Sequence, residues 1–511
     1  MKAGTDRKYT AEFRDSAVKQ VVEGGRSISS VSRSLEMSSK TLAQWVYRAR
    51  KCQLLVKRET SNHEQTIEDH MEGKQSSNAW RVLILLFLAN LFNYFDRVIP
   101  AILAEPIRRE WGLNDFQLGL VLSAFTGVYA IAGLPLGRLA DTGSRKHIMG
   151  WGLAAWSAFT GATALAWSYL SFFAIRMFVG VGEASYAPAA TSVIGDLFPP
   201  NKRSRAMGIF MLGLPIGLVL AFFTVGAMVK AFGSWRAPFV IATVPGLLLA
   251  LFMFFIKEPV RGAAEEEKVG EHKIDRPIRR VLRVPTMLWL SIAGIGLVMA
   301  SNAANSFLVP LLQRYFQLSL QAAAINTGVI VGLTGLIGLS LGGVVADRLH
   351  QINQNARLTF GAVCMVGAAA LTWYALRLGS AEIGLFTGLF AFGWLLQYNF
   401  YTCVYPAIQD VIEPRLRATA MAVFFAALYV LGGAAGPVAV GFLSDHYANA
   451  AMVAAGASQM NEQFKAVGLH DAMIVVPAGL LAAGVALGLA TRRFASDAAT
   501  MKREMAVAAS V

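Results

Sequence analysis

The sequence predicts an all-α membrane protein: twelve transmembrane helices in two six-helix bundles, preceded by a small helix-turn-helix-like extension. Three observations predict it. Apolar runs of about 20 residues recur from Trp80 onward, the length a helix needs to cross a hydrocarbon core of about 30 Å. The composition is 55% hydrophobic and 15% charged with a mean hydropathy of +0.48, whereas soluble domains carry about 25% charged residues. A stretch of the first half, Asp196–Phe210, returns in the second as Asp410–Phe424. The apolar runs do not alternate in polarity, which argues against a barrel.

Residues 1–58 are soluble in character, with 13 Lys/Arg against 5 Asp/Glu. Three short helical patterns are separated by Gly24-Gly25 and Met37-Ser38-Ser39. The first buries Phe13, Ala17, Val18 and Val21; the second, capped by Ser27, buries Ile28, Val31 and Leu35; the third buries Leu42, Trp45 and Val46. The segment resembles the helix-turn-helix module at the start of insertion-sequence transposases, whose last helix would enter the major groove of DNA. It departs at Glu36, where a turn Gly is usual, and at Ser39, where Pro is common. Two readings stay open, a DNA reader tethered to a membrane or a remnant joined to the following gene. Residues 59–78 are polar and linker-like, and Met71 would serve as a start just before the first span.

Twelve spans are expected at about 80–104, 116–140, 147–168, 170–197, 205–231, 236–256, 286–312, 319–346, 357–378, 382–411, 417–443 and 471–491. Basic residues mark alternate connections: Arg145-Lys146, Lys202-Arg203-Arg205, the loop 257–283, Arg348 and Arg357, Arg415 and Arg417, and Arg492-Arg493. Positive charge stays on the cytoplasmic side, so both termini are expected there. The first apolar run lies too far from the N-terminus to be a cleavable signal. The net charge of +14 is then largely a topology signal rather than a nucleic-acid footprint.

Composition also limits the chemistry. Cys52, Cys364 and Cys403 form no CxxC, the seven histidines are scattered, and GxxxxGK[ST] is absent. No metal, cofactor or ATP-driven pump is therefore expected, nor an enzyme, since no nucleophile is paired with a base.

The repeat divides the chain. Asp196/Asp410, Pro200/Pro414, Arg203/Arg417, Ala206/Ala420, Met207/Met421 and Phe210/Phe424 coincide at an offset of 214, and Gly137–Asp141 echoes Gly343–Asp347 at 206. The expected organisation is a module at 1–58, a linker at 59–78, bundles at 79–257 and 286–493, a cytoplasmic loop at 258–285 and a tail at 494–511. Parallel repeats fit a transporter with its substrate near the midplane between halves.

Gly137-Arg-Leu-Ala-Asp141-Thr-Gly-Ser-Arg145-Lys146 resembles the signature loop after the second span of the major facilitator superfamily, with departures at Thr142 (usually Arg) and Ser144 (usually Gly). The resemblance implies a cytoplasmic latch in which Asp141 engages the neighbouring half and Arg145 reaches Asp196. Arg203, Arg205, Asp347, Arg348, Asp410 and Arg417 complete the expected gate. A narrower resemblance, over residues 80–262, is to the Spinster-type subfamily. It rests on Asn93-Tyr-Phe-Asp96-Arg97, Gly180-Val-Gly-Glu183-Ala-Ser-Tyr186-Ala-Pro188, Gly195-Asp-Leu-Phe-Pro199, Arg203-Ser-Arg205 and Lys257-Glu-Pro-Val-Arg-Gly262. Eukaryotic members move sphingolipids and lysophospholipids, which implies a lipid-like or amphipathic substrate. Anion:cation symporters share the Asn-Tyr-x-Asp-Arg element, which leaves a small organic acid as the alternative.

Spacing points to a site independently. Arg176 and Glu183, seven apart, share a helix face at ~10.5 Å. Counted from the outer ends of the first and fourth spans, Asp96, Arg176 and Glu183 lie ~13, ~9 and ~20 Å deep. That places the Asp96 carboxylate between the other two. Charges inside a span face a protein interior or a cavity, and low dielectric disfavours an ionised carboxylate beside an exchangeable Arg partner. A proton-coupling cluster of Asp96, Arg176 and Glu183, with Arg97 beside them, is expected, against the alternative of a fixed ion-pair network. Arg97 is turned by about 100° from Asp96, so a different span is the alternative surface for it to face.

The second half carries few intramembrane charges. Asn305, Trp394, Gln397, Tyr398 and Tyr401 are its candidate cavity residues, with Asn93 and Tyr186 from the first. Gly213, Pro215 and Gly217, and Gly432, Gly433, Gly436 and Pro437, are expected to serve rocking and packing. The expected protein is a monomeric, gradient-driven carrier of the bacterial inner membrane. Its partners would be an amphipathic substrate, protons and membrane lipids, with DNA a partner only through residues 1–58.

Overall fold

A computed structural model of the chain describes residues 9–261, 277–413 and 416–509. Within them, the side chains of residues 50, 52–77, 134, 141, 200, 201, 204, 277, 344, 347, 350, 418 and 504–509 fall outside the description. The described residues form helices joined by short turns, in two units divided between Arg81 and Val82.

In the first unit, helices Ala11–Val22 and Ile28–Ser34 precede the start of helix Ser39–Ile102. Thr10 and Ser27 cap the first two by accepting from the backbone N–H of Phe13 and Ser30 at 3.3 and 3.2 Å. Ala17, Val21, Val31, Leu42, Trp45 and Val46 form the core, flanked by Phe13, Val18, Ile28 and Leu35, as their spacing predicts. Glu36, in the place of the usual turn Gly, takes a φ of 47°, so a side-chain-bearing residue occupies the left-handed region there.

Among the described residues, ten helices are long and apolar enough to cross a membrane by length and composition, from Asn78–Ile102 to Glu462–Arg503. The two expected spans outside that set fall where Arg145–Thr163 and Tyr169–Leu197 lie. The first opens on Arg-Lys-His and is diluted by Gly, Ser and Thr. The second breaks at Ser185 into Tyr169–Ala184 and Tyr186–Leu197. Pro188 has no N–H to return to the Ala184 carbonyl, and the Ser185 hydroxyl turns back to the Gly182 carbonyl at 2.8 Å.

Two seams join the halves. Asp115–Thr142 packs on Ala435–Ala454, and Gly213–Phe232 on Leu320–Gly328. At the first seam a Cβ on Gly119 would lie 2.3 Å from the Pro437 carbonyl oxygen, and one on Gly441 2.3 Å from that of Asp115. The backbones touch because neither residue has a side chain. Wider π-helical turns interrupt the second half at Val329–Leu333 and Leu428–Gly433, a distortion common at functional sites.

Candidate functional site

The first and fourth expected spans bring four charges together in apolar surroundings, and the second adds aromatic rings. Arg97 donates from Nε and Nη2 to Glu183 Oε2 at 3.1 and 2.8 Å, and from Nη2 to Asn93 Oδ1 at 3.3 Å. Arg97 thus reaches the fourth span through Glu183 and also faces the second span, where its guanidinium lies against Tyr129 and Phe125. Asn93 and Arg97 stand one turn apart on the face toward Glu183, and the long guanidinium side chain spans the angular offset from Asp96. Asp96 is fully buried, and neither carboxylate oxygen has a hydrogen-bond partner. Its charged neighbours are Glu183 and Arg176, as expected, and the Trp156 indole lies beside it.

Aromatic rings hold the two cations. The Arg97 guanidinium lies 4.6 Å from the Tyr129 ring, 5.1 Å from Tyr94 and 5.6 Å from Phe125, while Arg176 lies 5.1 Å from the same Phe125 ring. Tyr429, on the second half's π-helical turn, adjoins Tyr129 and Arg97. Arg176 is buried, whereas a quarter of the Arg97 side chain is exposed. Arg97 is thus the charge open to a ligand. Sequence reasoning passed over Phe125 and Tyr129 on the second span, and carried Tyr94 only as part of the Asn93–Arg97 motif.

Most residues expected to line a cavity are committed elsewhere. Tyr186 is buried, its hydroxyl donating to the Leu86 carbonyl and its ring packed on Trp156. Trp394 is buried against Phe390, and Gln397 accepts from the Ser301 hydroxyl at 3.0 Å. Tyr398 donates to the Val331 carbonyl at 2.8 Å, fastening the other π-helical turn. Tyr401 is half-buried in a row with Tyr398 and Tyr405. Asn305 is half-buried with its Oδ1 unpartnered, and Asn93 keeps its amide nitrogen without a partner.

At one end of the bundle, Arg145 binds Asp196, as expected. It also donates to Glu258 at 3.1 Å, Ser192 at 2.9 Å and the Pro259 carbonyl at 2.7 Å. Glu258, expected at the start of the central loop and part of the Lys257–Gly262 motif, also accepts from the Ser144 hydroxyl at 2.7 Å. Burial raises its carboxyl, but the hydrogen bonds of Ser144, Arg145 and Lys146 outweigh this and hold it at about 2. The second half repeats the pair as Arg357 with Asp410. The repeated arginines are equivalent too: Arg203 donates to the Gly195 carbonyl at 2.8 Å and Arg417 to the Gln409 carbonyl at 3.1 Å, each eight residues back. They satisfy the last carbonyls of the preceding helix. Gly137 faces Pro188, Lys146 is half-buried, and Arg205 and Arg348 are exposed. The side chains of Asp141 and Asp347 lie outside the described residues.

The opposite end carries a network that spacing did not reveal. Arg314 donates to both oxygens of Asp115 at 2.7 and 2.8 Å and to Glu105 at 2.6 Å. Arg108 binds Glu105 at 2.7 Å and Glu462 at 2.5 Å, and Ser444 donates to Asp115 at 2.6 Å. Asp445 accepts the backbone N–H groups of Asp115 and Phe116 at 3.1 and 2.9 Å. Glu105, Arg108 and Asp115 belong to the first half; Arg314, Ser444, Asp445 and Glu462 belong to the second. Burial raises the Glu105 carboxyl, but Arg108 and Arg314 prevail and hold it at about 2. Among the described residues, the ion pairs that cross between halves lie at this end.

The Major Facilitator Superfamily model matches residues 86–437, and a transposase model matches residues 3–68. Protein spinster of Drosophila melanogaster is 28% identical over 383 residues, covering 72% of this chain and 62% of the fly protein. The chain thus spans less than two thirds of that relative. The sphingosine-1-phosphate transporter of Xenopus tropicalis is 29% identical over 378 residues (71% of this chain, 73% of the frog protein). The hexuronate transporter of Bacillus subtilis is 29% identical over 380 residues (71% and 87%). Among solved structures, a bacterial homolog of the human lysosomal transporter Spinster, inward-facing and unoccupied, aligns with a TM-score of 0.75 at 25% identity, over 82% of this chain and 98% of its own. A family match over more than half of the chain, on the fold and motifs described above, makes this protein a member of the major facilitator superfamily of transporters, similar to its Spinster branch.

Proposed function

We propose that the chain is a proton-coupled, alternating-access carrier of an amphipathic organic anion. The observation that carries this reading is Asp96, a fully buried carboxylate without a hydrogen bond, beside the Arg97–Glu183 pair. Such a group takes up a proton at low cost, and Arg97 can then leave Glu183 for an incoming anion. The aromatic rings around the exposed edge of Arg97 suit an apolar tail next to a charged head. The frog relative's sphingosine-1-phosphate supports a lipid-like anion; the Bacillus relative's hexuronate favours a small organic acid as the alternative. Thermal-shift screening with a lysophospholipid and a hexuronate separates the two.

The test of coupling is uptake into proteoliposomes with and without a pH gradient. Asp96→Asn and Glu183→Gln should each remove gradient-driven uptake while the protein stays folded. Full gradient-driven uptake by both variants would overturn the reading.

The basic connections support a bacterial inner-membrane location with both termini in the cytoplasm, and a monomer suffices for this mechanism. The network between Glu105 and Arg314 then closes the outer face, in keeping with the inward-facing conformation of the solved relative. Transport belongs to the second unit. The intact core of the first unit, together with exposed Lys40, Gln44, Tyr47 and Arg48 on its third helix, favours a separate DNA-reading role as a second reading. A chain beginning at Met71 should transport as the full chain does. Salt-dependent binding of a DNA duplex by the full chain but not the shortened one would support the second reading.

A further inference from the structure

Between the halves, the chain enters its seventh expected span through a short helix, Pro277–Leu282, that the transport mechanism leaves unused. Val281 is fully buried and anchors it against the bundle. Ile278 and Leu282, one turn apart, are 56% and 59% exposed, an apolar edge left uncovered by the described residues. Arg279 and Arg283 form a second pair one turn apart, with Arg280 between them, and all three line a cavity of about 650 Å³. The far wall comes from the end of the last long helix, with Thr500 supplying a hydroxyl and Met501 an apolar surface.

The acids in this cavity are already engaged. Glu413 pairs with Arg280 at 2.5 Å, and Asp497 accepts from the backbone N–H and the hydroxyl of Thr286 at 2.9 and 2.7 Å. Arg279 and Arg283 form no ion pair among the described residues. Three guanidiniums facing one recess, with exposed aliphatic side chains on the same short helix, have a definite chemical complement. The recess suits the phosphate of an anionic phospholipid, held by guanidinium forks, with its acyl chains along Ile278 and Leu282. A free phosphate would have no use for the apolar edge.

We propose that this recess binds the head group of an anionic phospholipid of the cytoplasmic leaflet, tying the loop between the halves to the second bundle. The leaflet assignment rests on the orientation proposed above; the binding itself does not rest on transport.

Full-length protein in detergent is titrated with phosphatidylglycerol, phosphatidylcholine or inorganic phosphate and followed by native mass spectrometry. Phosphatidylglycerol should be retained in preference to the other two. Combined Arg279→Gln and Arg283→Gln, at exposed positions, should weaken that retention by roughly five-fold per arginine, about 25-fold in all. Arg492→Gln with Arg493→Gln, exposed but outside the cavity, should leave it unchanged. A melting temperature for each double variant close to that of the parent confirms that both are folded. Equal retention of phosphatidylglycerol and phosphatidylcholine, equal losses in the two double variants, or phosphate binding as tight as that of the lipid would each overturn the proposal. Because the readout is a bound lipid, it stands or falls separately from the flux assay.

Discussion

Arg97 grips one oxygen of Glu183 with two nitrogens, at 3.1 and 2.8 Å, and leaves the other oxygen buried without a partner. Removing the cation strands a buried carboxylate. Arg97→Ala should destabilise the protein by ~2–3 kcal/mol, below the ~3–5 kcal/mol of a fully buried broken pair because a quarter of the Arg97 side chain is exposed. Adding Glu183→Gln should restore most of the loss, and Arg97→Lys should fall between, since a point charge replaces the fork. Thermal unfolding of the single and double variants measures the coupling; no rescue would mean that the pair contributes nothing to the fold.

Arg314 has a larger task, because two carboxylates of the other half depend on it in surroundings where its side chain and that of Glu105 are each 2% exposed. Arg314→Met should cost the closed arrangement ~3–5 kcal/mol. A cysteine at Ser444, buried beside Asp115, should then react faster with a membrane-impermeant maleimide. Unchanged labelling would remove this network from closure.

Acid should act on that network only at low pH. The Glu105 carboxyl is held at about 2 against an ordinary 4.5. A depressed folded value means that the stabilisation is complete above the ordinary value and fades as pH falls toward 2. Melting temperature should therefore not vary through Glu105 from about pH 5 to 8, and Glu105→Gln should lessen the acid-side fall while leaving the pH profile of uptake in that range unchanged. A shift of that profile would mean that the outer network, and not the Asp96 cluster alone, senses protons.

Gly119→Ala or Gly441→Ala should push the halves apart, since either Cβ would sit 2.3 Å from a backbone carbonyl oxygen. Both variants should melt lower and label faster at Ser444→Cys. Gly127→Ala, where a Cβ meets nothing within 4 Å, should be neutral or gain up to about 1 kcal/mol of helix propensity. Equal behaviour of all three would dismiss the close approach as a determinant of closure.

The sequence carried the architecture because membrane burial writes itself into long apolar runs, and because the repeat at Asp196 and Asp410 fixes which loops are equivalent. The meeting of Asp96, Arg176 and Glu183 was legible from depth along two helices. The partner of Glu183 was not, because an angular offset says where a Cα–Cβ bond points and little about where a guanidinium ends. Tyr186 sits in a motif, but a motif does not show that its hydroxyl is taken by the Leu86 carbonyl. The outer network was invisible for another reason. Glu105, Asp115, Arg314 and Glu462 each look like an ordinary charge at a helix end, and Arg108 and Glu462 lie 354 residues apart. Arg357 likewise read as a topology charge until its pairing with Asp410 made it the counterpart of Arg145.

The four charges of the Asp96 cluster have an electrical consequence. Asp96 and Glu183 against Arg97 and Arg176 sum to zero when all are ionised, the cheapest total in a medium of low dielectric. Under the proposed coupling, one proton leaves a single positive charge behind, and a monoanionic substrate cancels it. Proton and monoanion carried together move no net charge, so a potassium-diffusion potential imposed across proteoliposomes should leave uptake of a monoanion unaltered, whereas uptake of a dianion should follow the voltage.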